Sequence, residues 1–139
     1  MNTSRYLSSR EVAALNRLGD ILCPGDEKLP RFSATGAVSR FDDMANYMVV
    51  SDRDDLKMLL SVFYFLPDIL IRFLLIVFAG MERLPGPLGS LGRLVMFGLK
   101  GVITTLYFGF ADNDGKSGDK VRQVLGWDAS IRTPVSQSN

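Results

Sequence analysis

MLLSVFYFLPDILIRFLLIVFA, residues 58–79, decides what kind of protein this is. The stretch is long enough to cross a bilayer. Fifteen of its residues are Leu, Ile, Val or Phe, together worth roughly −7 kcal/mol on an insertion scale. Asp68 and Arg72 lie near its centre; they return roughly +5 to +7 kcal/mol on that scale, and Pro67 adds to the cost. Insertion comes out close to neutral. A buried helix pair, broken at Pro67 and restarted with Asp68 as N-cap, accounts for the residues better. Asp68 and Arg72 are four apart and can pair along one helix face.

A helix that is apolar nearly all round belongs in the middle of a protein, and a small domain can enclose one at most. Part of Phe63, Phe65, Phe73, Leu74 and Phe78 is therefore a candidate partner interface, with ordinary core as the competing reading. The length of 139 residues suits one domain. Hydrophobic residues make up 47% and charged residues 22%, which is the balance of a globular protein and not of a disordered one.

Upstream, the first helix announces itself. Ser8 and Glu11 form an S-x-x-E capping box, and Leu7 is placed to staple onto Val12. The stripe Val12, Leu15, Leu18, Leu22 then keeps helical spacing until Cys23-Pro24-Gly25-Asp26 ends it. Residues 24–35 read as a loop. A second helix is expected from Gly36, with Val38, Phe41, Met44, Ala45 and Met48 on one face and Arg40, Asp42, Asp43 and Asn46 on the other. Ser51 announces a third helix, with Asp52, Asp54 and Asp55 near its positive end. That placement explains the acidic cluster without a metal.

Downstream, Gly80–Ser90 turns around Pro85-Gly86-Pro87. A further helix is expected from about Leu88 to Phe110, with Leu91, Leu94, Val95, Leu99, Val102, Ile103 and Leu106 inward. Gly101, Thr105 and Gly109 recur every four residues and would form a groove for a close helix crossing. Asp112-Asn113-Asp114-Gly115 resembles a calcium loop only briefly. Aligning Gly115 puts Phe110 at the first ligand position and Val121 at the twelfth, where a carboxylate is needed. A polar turn, a short helix over Ser117–Leu125 and Gly126 as C-cap fit better. Residues 1–129 thus form a helical domain and 130–139 a polar tail. The fold expected is all-α, a single compact domain of about five to six helices.

The chemistry is narrowed by what is missing. There is no histidine, hence neither the usual general base near neutral pH nor the usual metal ligand. One cysteine, Cys23, allows no internal disulfide and no cysteine-built zinc site. A lone thiol without histidine reads as a small residue, buried or half-buried, that packs like a hydrophobe. Sixteen basic and fifteen acidic residues leave a net charge of +1 with no basic stripe, so nucleic acid is not an expected partner. No phosphate loop, nucleophile elbow or carboxylate pair appears. No catalytic, cofactor-binding or metal-binding residue is therefore assigned to this chain. Met1–Arg10 has neither an apolar signal core nor adjacent arginines, which points to the cytoplasm, or to the periplasm only by co-export with a partner.

The segment Leu7-Ser8-x-x-Glu11, followed by Leu15, Leu18, Asp20 and Leu22-Cys23-Pro24-Gly25-Asp26, resembles the opening of the small subunit (subunit 3) of gluconate 2-dehydrogenase-type enzymes. Leu106-Tyr107-Phe108-x-Phe110 and Leu125-Gly126-Trp127 are similar to that family's aromatic segment and closing element. The likeness spans about half the chain, through degenerate motifs. It implies a helical, non-catalytic subunit bound to a large flavoprotein of the glucose–methanol–choline class. That partner would hold FAD and oxidise an alcohol or sugar, with a cytochrome as candidate electron acceptor. Exported members often carry a twin-arginine signal, from which this sequence departs. Two alternatives stand beside it: a membrane-associated hairpin of 58–79 and 88–110, and, last, a small enzyme using carboxylates, Tyr and Lys.

Overall fold

A computed structural model describes residues 4–109. Over that range the chain is all-α, with five helices and no strand among the described residues. The expectations that fall on 110–139 (the polar turn, the short helix closed by Gly126, the Trp127 element and the tail) lie outside it.

Helix α1 (Ser9–Leu22) starts as its capping box requires. Ser8 Oγ accepts the Glu11 N–H at 3.4 Å, and the Glu11 carboxylate accepts the Ser8 N–H at 2.6 Å. Leu15 and Leu18 are fully buried, and Leu7 is buried just before the cap. After Cys23 the chain turns through Gly25, whose φ of +76° lies in the left-handed region that glycine occupies without strain. The Asp26 carboxylate closes this loop by accepting the N–H groups of Lys28 and Leu29.

The second helix does not begin at Gly36. Two 3₁₀ turns, Phe32–Thr35 and Ala37–Arg40, come first, and α2 (Phe41–Ala45) is short. Gly36 is left-handed between them at φ +67°. Thr35 Oγ1 donates to the Phe32 carbonyl and accepts the Ala37 N–H, so a side chain takes bonds that a longer helix would need. Val38, Phe41 and Ala45 are still buried, as their spacing indicates.

Helix α3 (Val50–Phe65) has Val49, and not Ser51, as its N-cap, with no side-chain cap bond. Of the three aspartates only Asp52 lies in the first turn. Leu66, held extended ahead of proline, and Pro67 break the segment as anticipated. Helix α4 (Asp68–Met81) then starts with Pro67 as cap, and Asp68 is its first residue. The Asp68 carboxylate pairs with Arg17 of α1, not with Arg72. Arg17 Nε donates to it at 2.8 Å, while Nη1 and Nη2 donate to the Tyr64 and Leu66 carbonyls at 3.2 and 2.7 Å. One guanidinium thus closes the end of α3 and the start of α4.

Pro87 opens α5 (Pro87–Thr104) at its first turn, behind Gly86 at φ +88°. A π-helical turn, Thr105–Gly109, extends α5. Helix α1 packs on α3, α4 packs antiparallel on α5, and α1 also touches both α4 and α5. The core runs from Leu15, Leu18, Phe32 and Phe41 through Leu60 and Phe63 to Ile71, Met96, Leu99, Ile103 and Leu106.

Two expectations for α5 are corrected. Leu91 and Leu94 face solvent, and the buried positions are Gly89, Gly92, Met96, Leu99 and Ile103. The close crossing is made by Gly89 and Gly92, not by Gly101, Thr105 and Gly109. A Cβ at Gly92 would lie 2.8 Å from Met81 Cβ and 3.0 Å from the Phe78 oxygen, whereas one at Gly101 would meet nothing within 4 Å.

Candidate functional site: the exposed face of helix α4

Helix α4 is apolar almost throughout, yet of its 14 residues only Ile71 and Leu75 are buried. Those two fix its rotation. At 100° per residue the opposite side falls on Ile69, Phe73 and Ile76, flanked by Leu70 and Val77. Ile69 is 79% exposed, Phe73 59% and Ile76 70%, and the exposed Arg72 borders them on the other side at helical spacing. Asp68, at the start of the helix, is held by Arg17. These residues form an exposed apolar strip along one side of the helix.

The five residues anticipated as an interface separate into three groups. Phe63 is 1% exposed and belongs to the core, so it has no surface to offer a partner. Leu74 and Phe78 are half-buried and pack inward. Phe65 and Phe73 are exposed. Phe65 ends a second apolar stripe, Met58, Val62 and Phe65, on α3. It also lines an open cleft of about 460 Å³ with Ser8, Ser9, Arg10, Ser61 and Tyr64, where the Arg10 guanidinium lies 5.9 Å from the Tyr64 ring centre.

Ile69, Ile76, Leu94 and Phe97 were not anticipated. Leu94 and Phe97 are 71% and 82% exposed, and with Glu82, Ser90, Arg93 and Lys100 they line a shallow cleft of about 540 Å³ on α5. The signal for Ile69 and Ile76 lay in the 3.6-residue period itself, but choosing its phase needed Ile71 and Leu75 as inward markers.

Cys23 is half-buried; burial pushes its thiol up, and the nearby Asp20 carboxylate pushes it further. A protonated thiol is a poor nucleophile. Tyr107 donates its hydroxyl to the Pro30 carbonyl at 2.6 Å. Burial, then the neighbouring Cys23 and Asp26, raise its pKa. Asp20, beside them, accepts from the Ser33 N–H and hydroxyl. These contacts tie the 24–35 loop to α1 and α5. Among the described residues no group of three or more Cys, Asp or Glu side chains converges on a point that could hold a metal ion. Asp52, Asp54 and Asp55 are exposed. One described helix, Pro87–Gly109, is long and apolar enough to cross a membrane, with a mean hydropathy of 1.3 and a third of its apolar window buried. No known protein family matches the sequence, and neither does any curated protein or solved structure.

Proposed function

We propose that this chain is a non-catalytic helical subunit that binds and stabilises a larger FAD-dependent alcohol or sugar dehydrogenase. The observation that carries the reading is the exposed apolar strip Ile69, Phe73 and Ile76, flanked by Leu70 and Val77 on one side and by Arg72 on the other, on a helix packed from behind. Such a strip gains free energy only when something apolar covers it. The nature of the partner rests on the resemblance of 7–26 and 106–127 to the small subunits of flavoprotein complexes. FAD and any cytochrome acceptor belong to the other chains.

The test is to look for a flavoprotein reading frame beside the gene for this chain and to co-express the two; the lack of such a frame would count against the reading. The two should co-purify with flavin in the large chain, and this chain alone should carry neither flavin nor dehydrogenase activity. Phe73→Ser with Ile76→Ser should abolish co-purification while helicity by circular dichroism is retained, because neither side chain is core. Turnover of an alcohol by this chain alone, or capture of the flavoprotein by the double variant, would sink the reading.

A further inference from the structure

Charge is distributed unevenly along the fold. Residues 4–67 hold eight basic and nine acidic side chains, whereas 68–109, from the start of α4, hold Arg72, Arg83, Arg93 and Lys100 against Asp68 and Glu82. The α4–α5 hairpin is therefore net positive by two, on a body that is net negative by one. Arg93 and Lys100 stand one on each side of Phe97, at helical spacing, on the exposed face of α5. Arg93 donates to the Glu82 main-chain carbonyl and the Ser90 hydroxyl, not to a carboxylate. Among the described residues Arg83, Arg93 and Lys100 form no ion pair. Among the described residues Glu82, which lines the same cleft, offsets one of these three charges and leaves the face net positive by two. Leu94 and Phe97 beside them are the most exposed large apolar side chains of α5.

We propose that the exposed face of α5, formed by Arg93, Leu94, Phe97 and Lys100 and continued by Arg83 at the turn, docks on an anionic lipid bilayer. Leucine and phenylalanine that enter the acyl boundary, with arginine and lysine stems rising to the headgroups, are the composition of an interfacial helix. The charge sign matches acidic headgroups. A protein partner is the weaker match here, because interface cores are depleted in lysine. Spanning is the weaker match too, since Arg93 and Lys100 lie well inside the helix and would be drawn to mid-bilayer. This surface is separate from the α4 strip, so it goes beyond the subunit reading, and either can fail alone.

The test is flotation of the full chain on a density gradient with phosphatidylcholine vesicles, with and without phosphatidylglycerol; aggregates sink and bound chain rises. The chain should float only with the acidic vesicles and should be released as salt is raised. Arg93→Glu with Lys100→Glu should abolish flotation, and each basic residue neutralised singly should weaken it roughly fivefold. Leu94→Ser with Phe97→Ser should lower it at least tenfold with unchanged helicity. Phe73→Ser with Ile76→Ser should float as wild type does. Equal flotation on neutral vesicles, none on either, or flotation that survives the charge reversal would overturn the proposal. Loss of flotation in the α4 variant alone would overturn it as well, by assigning lipid to the other face.

Discussion

Replacing Arg17 by alanine removes three contacts at the point where α3 hands over to α4. The guanidinium serves the Tyr64 and Leu66 carbonyls, which end α3 without an intrahelical partner, and the Asp68 carboxylate that begins α4. The ion pair is largely wet, with the two side chains 33% and 64% exposed, so it contributes at most about 1 kcal/mol. The carbonyl bonds come from a charged donor and lie nearer the core; together they add about 1–2 kcal/mol after discounting for their partial exposure. Arg17→Ala should thus cost about 2 kcal/mol, while Asp68→Asn, which keeps both carbonyl bonds, should cost about 0.5 kcal/mol. For a chain of this size 1 kcal/mol moves the melting temperature by about 3–4 °C. Thermal unfolding followed by circular dichroism should therefore show a fall of about 7 °C for Arg17→Ala and about 2 °C for Asp68→Asn. Equal losses in the two variants would refute the reasoning, because they would place the energy in the ion pair and not in the capping of α3.

The glycines of α5 should respond in opposite directions. A Cβ at Gly89 would overlap the Leu84 carbonyl, so Gly89→Ala should destabilise by about 1–3 kcal/mol, whereas Gly101→Ala, facing open space, should stabilise by about 0.5–1 kcal/mol; urea titrations of both separate the two cases. Asp42 gives the pH dependence: burial pushes its pKa up, but bonds from the Arg5 N–H and Ser4 hydroxyl, with the Tyr6 amide and the Arg5 charge, outweigh it and hold the carboxyl below its ordinary 3.8. Its stabilisation is complete above that ordinary value and is lost as pH falls through the depressed one. Asp42→Ala should accordingly be about 1 kcal/mol less stable at neutral pH, with the gap closing on acidification below about pH 4 in denaturant titrations.

Local chemistry was legible in the sequence, and phase was not. The capping box at Ser8 and Glu11 and the break at Leu66-Pro67 need only neighbouring residues, and both stand where the sequence put them. The partner of Asp68 leaves no trace in the sequence around it, because Arg17 lies 51 positions away, beyond any local pattern. Phe32, fully buried in what reads as a loop, carries no periodicity that would mark it as core. Helices α4 and α5 are apolar nearly all round, so several rotations satisfy the pattern equally. On α5 the choice is made by Gly89 and Gly92, where the hairpin backbones approach too closely for a side chain. That choice carries Leu94 and Phe97 out to solvent. On α4 it is made by Ile71 and Leu75, which leave Phe73 outside.

The α4 strip by itself is too small to hold a partner, which constrains what any complex must use. Fully burying a Val, Leu, Ile or Phe side chain is worth about 1.5–3 kcal/mol. Ile69, Leu70, Phe73, Ile76 and Val77 are each already partly covered, so a partner gains about half of that from each, roughly 5 kcal/mol in all. Association costs from about 4 to more than 15 kcal/mol in lost rigid-body freedom. The sum is near zero or negative. A stable complex must therefore take in further apolar surface, and the stripe Met58, Val62 and Phe65 on α3 is the nearest in kind, with all three side chains at least half exposed. Because α3 and α4 make little contact with each other, a partner spanning both stripes would also fix the angle between them. The Arg17 guanidinium already joins the end of α3 to the start of α4, so Arg17→Ala should loosen the angle between the two helices as well as lower stability.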